Sequence, residues 1–291
     1  MGRLGRALRE ASRVLMGKKP AGRALTVFPD DVFITSYPRS GNTWTRFLIG
    51  NLAYPDKAVG FATIESLIPA IYFFPDRVFR KMQRPRIFKS HEYFDPRYKR
   101  TIYIVRDPRD VAVSYYHYAI KRKSVEEGYP IEDFVPRFVS AEWDREWGWA
   151  AGWGDHVMSW VSMRQGREGF LFLRYEDLLQ DTMGELAKVA RFLNIEPTEE
   201  RLSHAIEKSS AGEMRKLEKQ QSKDWVLTKS TRQDKPFVRA ATSGGWKSVL
   251  PQKSVQMIEA AWGSEMQLLG YVLSSETGRD RGAEAQAAVK P

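Results

Sequence analysis

The sequence predicts an α/β fold, a single domain with a central, mostly parallel sheet flanked by helices. Three observations carry this expectation. Short, nearly continuous apolar runs recur, such as Val32–Ser36 and Thr101–Val105, and runs of that kind suit parallel strands covered on both faces. Strand, small-residue turn and helix-compatible stretch follow one another in the order of a phosphate-binding βα unit. The chain has 291 residues, 42% hydrophobic and 12% aromatic, which allows a sizeable core and excludes a wholly disordered polymer.

Taken in order, Val32–Ser36 is a β-prone run that stops at Tyr37-Pro38. Arg39-Ser40-Gly41-Asn42-Thr43 makes a turn, and Trp44–Leu52 reads as helix. Ile87-Phe88-Lys89 is a second strand and Thr101–Val105 a third. Asp107-Pro108 opens a helix from Arg109 to about Lys121. A fourth strand, Phe170–Leu173, leads through Arg174-Tyr175-Glu176-Asp177 to a helix ending near Leu193. Trp143, Trp147, Trp149, Trp153 and Trp160 cluster in a helical, loop-rich stretch that reads as core or lid. Phe61–Ile64 and Ile71–Phe74 read either as walls of a small-molecule pocket or as ordinary core. The divisions expected are a basic arm over 1–28, the domain over 29–272, and a small, polar, disordered tail over 273–291.

Charge and composition narrow the chemistry. A formal charge of +10 suggests an anionic partner: nucleic acid, a membrane surface or a phosphorylated small ligand. The absence of cysteine excludes disulfides, thiolate-ligated zinc and a cysteine nucleophile. Only His91, His117, His156 and His204 are available for imidazole chemistry, with no H-E-x-x-H pairing, so no metal is expected. No stretch approaches the roughly 18 apolar residues that span a bilayer. The first residues carry Arg3, Arg6, Arg9, Arg13, Lys18 and Lys19, without the apolar run of a secretory signal. They read as a solvated arm or as a segment touching an anionic membrane or a partner.

Tyr37-Pro38-Arg39-Ser40-Gly41-Asn42-Thr43-Trp44 carries the sharpest chemistry. Gly41 permits positive φ and close approach of backbone to a ligand. The amides at the following helix start face an anion. Arg39 adds a forked cation, Ser40 and Thr43 add hydroxyls, and Trp44 offers an aromatic face to a base. The segment lacks the first Gly and the Lys-[Ser/Thr] ending of the nucleoside-triphosphate loop.

This segment resembles the first nucleotide-binding loop, T-Y-P-K-S-G-T-T-W, of the cytosolic-type sulfotransferases, which use 3′-phosphoadenosine 5′-phosphosulfate (PAPS). Further matches follow in family order across about 32–247. Tyr103–His117 resembles the 3′-phosphate-binding strand and helix, and Phe88-Lys89-Ser90-His91 resembles the K-[ST]-H segment. Arg174-Tyr175-Glu176-Asp177 is similar to the Y-E-D after a strand, and Arg239–Lys247 is compared with R-K-G-x-x-G-D-W-K. The resemblance implies a P-loop-like sulfotransferase fold, cytoplasmic action, and transfer of a sulfuryl group from PAPS to a hydroxyl or amine of a small organic acceptor. It implies His91 as general base, with Lys89 and Arg39 assisting. It implies donor contacts by Arg39, Ser40, Gly41, Asn42, Thr43, Trp44, Arg106, Ser114, Tyr175, Ser209, Ser210 and Arg239.

Four departures stand out. Arg39 replaces the family Lys, and the two are not interchangeable. Ala211 replaces the Phe of T-S-F, leaving Trp44 to supply most of the stacking. Ala240-Ala241 replace Lys-Gly. The dimerisation motif K-x-x-x-T-V-x-x-x-E is not recognisable in Lys247–Gln256, so no oligomeric state follows. Two rival readings remain: a nucleotide kinase-like phosphotransferase, which needs a lysine after glycine and acidic metal ligands, and a basic nucleic-acid-binding protein, which needs a continuous basic stripe with exposed aromatics.

Overall fold

The computed structural model describes residues 19–143, 152–239 and 241–274. Four strands form an all-parallel sheet: β1 (Val32–Ser36), β2 (Ile87–Ser90), β3 (Arg100–Val105) and β4 (Phe170–Arg174), in the order β2-β1-β3-β4. Each lies within a residue of the run expected from the sequence. β1 is held on both sides, with Thr35 opposite Ser90 of β2 and Ser36 opposite Ile104 of β3.

Side chains on a strand alternate between faces, and each face carries its own core. Phe33, Phe88 and Tyr103 point into an aromatic-rich cluster with Trp153, Trp160 and Trp262. Val32, Ile34, Ile102 and Ile104 point into an aliphatic cluster with Leu48, Leu52, Leu186 and Val189. The first cluster is covered by α2 (Pro108–Lys121), α3 (Ile131–Val139), α4 (Trp153–Arg164) and α9 (Gln252–Leu268). The second is covered by α1 (Asn42–Ala53), α6 (Thr182–Phe192) and α7 (Glu199–Lys208).

The single helix expected after β4 is two. α5 (Tyr175–Gln180) begins at once, so Tyr175 lies in a helical turn, and Asp181 then caps α6 by accepting from the Gly184 amide. An Asp N-cap satisfies an amide that the helix cannot, and it starts a new helix instead of prolonging the old one. α8 (Ala211–Gln221) is capped the same way by Ser210.

Within the stretch read as the basic arm, Ala21 and Leu25 are buried in the aromatic core. Arm residues 1–18, Trp147, Trp149, Ala240 and tail residues 275–291 lie outside the described residues. No helix among the described residues is long and apolar enough to cross a membrane.

The opposite edge of the sheet is pinned by a fully buried ion pair. Arg86, just before β2, donates from Nε and a terminal nitrogen to the two oxygens of Asp31, just before β1, at 2.8 and 2.5 Å. Arg86 also reaches the carbonyls of Phe79 and Thr26. Removing one member strands a buried charge, which typically costs about 3–5 kcal/mol. Asp31→Ala is therefore expected to lower unfolding free energy by roughly that amount in urea denaturation.

Candidate active site

Parallel strands deliver their carboxyl ends to one edge, the favoured ligand edge of open α/β sheets. The four connections that start there meet around a cavity of about 580 Å³. Arg39 and Gly41 line it from the β1 turn, and His91 from beyond β2. Arg106 comes from the end of β3, Tyr175 from the end of β4, and Phe237 and Arg239 from the segment after α8.

The β1 turn needs its glycine. Gly41 adopts φ +96°, and a Cβ there would lie 2.4 Å from Cδ2 of Tyr175. Asn42, Thr43 and Trp44, the first turn of α1, sit on the cavity wall. Helix-terminal amides and the positive dipole end favour an anion at such a place. Trp44 is fixed by a bond of 3.1 Å from its indole N–H to the Ser209 carbonyl and stands edge-on to Tyr175.

Three guanidinium groups share the cavity. Arg106 donates to the carbonyls of Arg39 (3.4 Å) and Thr242 (3.0 Å) and lies over the Tyr175 ring. It has no ion pair among the described residues. The neighbouring carboxylates are engaged elsewhere: Asp107 by Arg109, and Asp110 by the amides of Gly244 and Trp246. Burial, and then the charges of Arg106 and Arg239, push Arg39 down to about 10, so it stays cationic at neutral pH. Asp110 is the one carboxylate among the described wall residues. Arg106 Nε and Ser40 Oγ are buried without a hydrogen-bond partner among the described residues. The unpartnered Arg106 Nε, the clustered cations and the glycine cradle are what a polyphosphorylated ligand would satisfy.

Beside this cluster sit two groups suited to proton and charge handling. Lys89 is 5% exposed, and burial followed by the nearby Arg46 and Arg39 charges pulls its ammonium down to about 7. His91 is pushed well below the ordinary imidazole range, first by burial and then by Lys89. Its Nδ1 lies 2.7 Å from the Ser36 carbonyl. A carbonyl can only accept, so Nδ1 carries the proton and the lone pair belongs to Nε2. This is the tautomer and protonation state of a base.

α4 holds the site from behind through three residues on one face. Trp153 donates to the carbonyl of Arg106 (3.1 Å), His156 to that of His91 (3.1 Å), and Trp160 to that of Glu92 (2.9 Å). His156 accepts at Nδ1 from the Tyr103 hydroxyl at 2.9 Å, and burial holds it neutral by lowering it to about 4. The sequence reading missed these roles and that of Asp110. The signal was present as Trp153, His156 and Trp160 at helical spacing three and four apart.

Of the expected site residues, Arg39, Gly41, Asn42, Thr43, Trp44, Lys89, His91, Arg106, Ser114, Tyr175, Ser210 and Arg239 all meet on the one wall. Ser40 and Ser209 are fully buried behind it, and Ser209 Oγ accepts from Asn51 instead. Of the two suggested pocket walls, Tyr72 and Phe73 face the cavity, whereas Phe61 packs against Phe47 and Trp225 in the core. Ala241, where the resemblance expects glycine, holds φ +52°, a conformation costing a non-glycine residue about 1 kcal/mol.

The chain is similar to proteins of one family in sequence and in fold. A family model described as "Sulfotransferase domain" matches residues 29–270. Sulfotransferase 1B1 of Mus musculus is 27% identical over 254 residues, covering 82% of this chain and 83% of that protein. Sulfotransferase 1A1 of Bos taurus is 27% identical over 255 residues, covering 82% and 84%. Among solved structures, retinol dehydratase in complex with androsterone and inactive cofactor PAP aligns with TM-score 0.70 at 21% identity, covering 84% of this chain and 83% of that one. Mouse sulfotransferase SULT7A1 complexed with PAP aligns with TM-score 0.68 at 22% identity, covering 92% of each.

Lys89 gives a test of the site's electrostatics. Its folded pKa lies below the unfolded value, so between about pH 7 and 10 the unfolded chain binds more protons and stability rises with pH. Lys89→Met removes that penalty. Denaturant titrations should find the variant more stable than wild type at pH 7, with the gap closing toward pH 10; a gap independent of pH would contradict the lowered value.

Proposed function

The chain belongs to the sulfotransferase family, and on that premise we propose that it transfers a sulfuryl group from PAPS to a hydroxyl of a small, largely apolar acceptor, with an amine as the alternative nucleophile. The observation that carries the reading is the pairing of three clustered arginines with a neutral histidine on one cavity wall. A rival kinase-like reading lacks support from any group of three acidic or histidine side chains able to hold a metal among the described residues.

The donor supplies an activated sulfuryl group; the work left to the protein is positioning and charge stabilisation. Arg106 and Ser114 hold the 3′-phosphate. Gly41, Asn42 and Thr43 turn their amides to the 5′ side, with Ser40 buried behind that turn. Trp44 and Tyr175 flank the adenine, with Ser210 and Arg239 closing that end and Ser209 fixing Trp44. His91 takes the acceptor's proton at Nε2, held in place by Ser36 and by α4. Lys89 and Arg39 stabilise negative charge on the transferring group and on the departing phosphate oxygen. Tyr72, Phe73, Tyr115, Leu227 and Phe237 give the acceptor half apolar walls, consistent with a hydroxyl on an otherwise apolar molecule. Cytoplasmic action belongs to the same proposal.

His91→Ala is expected to lower kcat by on the order of 10²–10⁴-fold, while calorimetry finds affinity for adenosine 3′,5′-bisphosphate unchanged. Transfer at the wild-type rate would remove His91 as base. A base must be neutral to act, and His91 is lowered well below 6.5, so the rate should hold as pH falls through 6.5. Lys89 must be charged, so the rate should fall as pH rises above about 7. The bound anion will move that alkaline limb upward.

A further inference from the structure

Arg39 occupies the position where the resembling families carry lysine, and its surroundings fit an arginine. The Tyr118 and Phe237 ring planes stand at 84° with centroids 5.9 Å apart, so the two rings form a corner. The Arg39 guanidinium carbon sits in that corner, 4.5 Å from one centroid and 4.7 Å from the other. Its Nε donates to Ser114 Oγ at 3.1 Å. Its two terminal nitrogens have no hydrogen-bond partner among the described residues, and Arg39 lines the arginine-bearing cavity.

The corner is itself anchored. Ser114 and Tyr118 are four apart on α2 and so lie on one face. Lys121, one turn further on, donates to the carbonyls of Arg232 (3.0 Å) and Lys235 (2.5 Å) and lies 3.6 Å from Glu218. Glu218 accepts from the amides of Phe237 (2.5 Å) and Val238 (2.9 Å). One helix face thus sets both walls, Tyr118 directly and Phe237 through the Lys121–Glu218 link.

We propose that Tyr118 and Phe237 are positioning residues that hold the Arg39 guanidinium with its terminal nitrogens turned to the donor's phosphosulfate. The idea rests on the functional reading above. A planar, weakly hydrated guanidinium is attracted to ring faces without losing its edge donors, whereas a compact ammonium would give up hydration to gain the same contact. Ser114 serves both sides: its hydroxyl accepts from Nε and still has a proton to give to a phosphate oxygen. Fixing Arg39 before the donor arrives removes an ordering cost that would otherwise fall on the transfer step.

The test is a double-mutant cycle read in kcat at saturating acceptor and in affinity for adenosine 3′,5′-bisphosphate by calorimetry. Tyr118→Leu and Phe237→Leu should each lower kcat by about tenfold, the range expected for a desolvated cation–ring contact. In an Arg39→Ala background the same changes should alter kcat by less than about twofold, because the residue they position is gone. The ring-retaining variant Tyr118→Phe should restore kcat toward wild type relative to Tyr118→Leu, and the thermal transitions of all variants separate loss of the ring from loss of the fold. Equal losses in both backgrounds, or a change confined to acceptor KM, would overturn the proposal. Where Arg39→Ala is too slow to assay, the bisphosphate affinities across the same cycle decide it, since coupling appears there as non-additivity and independence as additivity. A folded wild type that neither binds the bisphosphate nor transfers sulfate would instead sink the functional reading, and the positioning role with it.

Discussion

The site depends on the double parallel pairing of β1. With Thr35 opposite Ser90 and Ser36 opposite Ile104, the ends of three strands are brought level. The chain then leaves each strand end carrying Arg39, His91 or Arg106. A slip of one residue in that ladder would flip the strand's core residues to the wrong face and take the strand ends out of level. The register is also read out chemically, because the carbonyl of Ser36, the last residue of β1, receives the His91 proton. One hydrogen bond therefore joins two strand ends and fixes the tautomer of the candidate base.

The electrostatics follow from enclosure. Arginines that repel one another are kept in the cavity because carbonyls and aromatic faces satisfy them in place of carboxylates. Had Asp107 or Asp110 paired with Arg106, the site would carry less net charge for an anion. Asp107 is held by Arg109, which also reaches Glu259, and Asp110 secures the segment after Arg239. The same enclosure that concentrates positive charge keeps His91 neutral, so the candidate anion site and the candidate base share one environment.

Strands were legible in the sequence because each is a short apolar run closed by a turn, and a parallel sheet buries such runs on both faces. The site loop was legible because Gly41, Arg39 and the helix start have few other uses in that order. The split after β4 was not, since Asp181 reads as an ordinary polar helix residue until its side chain is seen to cap Gly184. Nor were the supporting contacts of α4: Trp153 and Trp160 read as core, which they are, and their indole N–H groups act on carbonyls distant in sequence. Ser209 shows the converse, a polar residue placed by motif on the ligand side whose hydroxyl accepts from Asn51 while its backbone carbonyl accepts from Trp44. Local patterns report backbone class well; which way a buried polar atom points is decided by its tertiary neighbours.

The most direct measurement is a calorimetric comparison of two nucleotides on the wild-type protein, adenosine 3′,5′-bisphosphate and adenosine 5′-monophosphate. They differ only in the 3′-phosphate, the group assigned to Arg106 and Ser114. A charged, hydrogen-bonded contact of that kind is worth roughly 1.5–3 kcal/mol, so the bisphosphate should bind at least about tenfold more tightly. Equal affinities, or no binding of either by the folded protein, would contradict the idea that the arginine-lined edge of the sheet is built for a doubly phosphorylated adenosine.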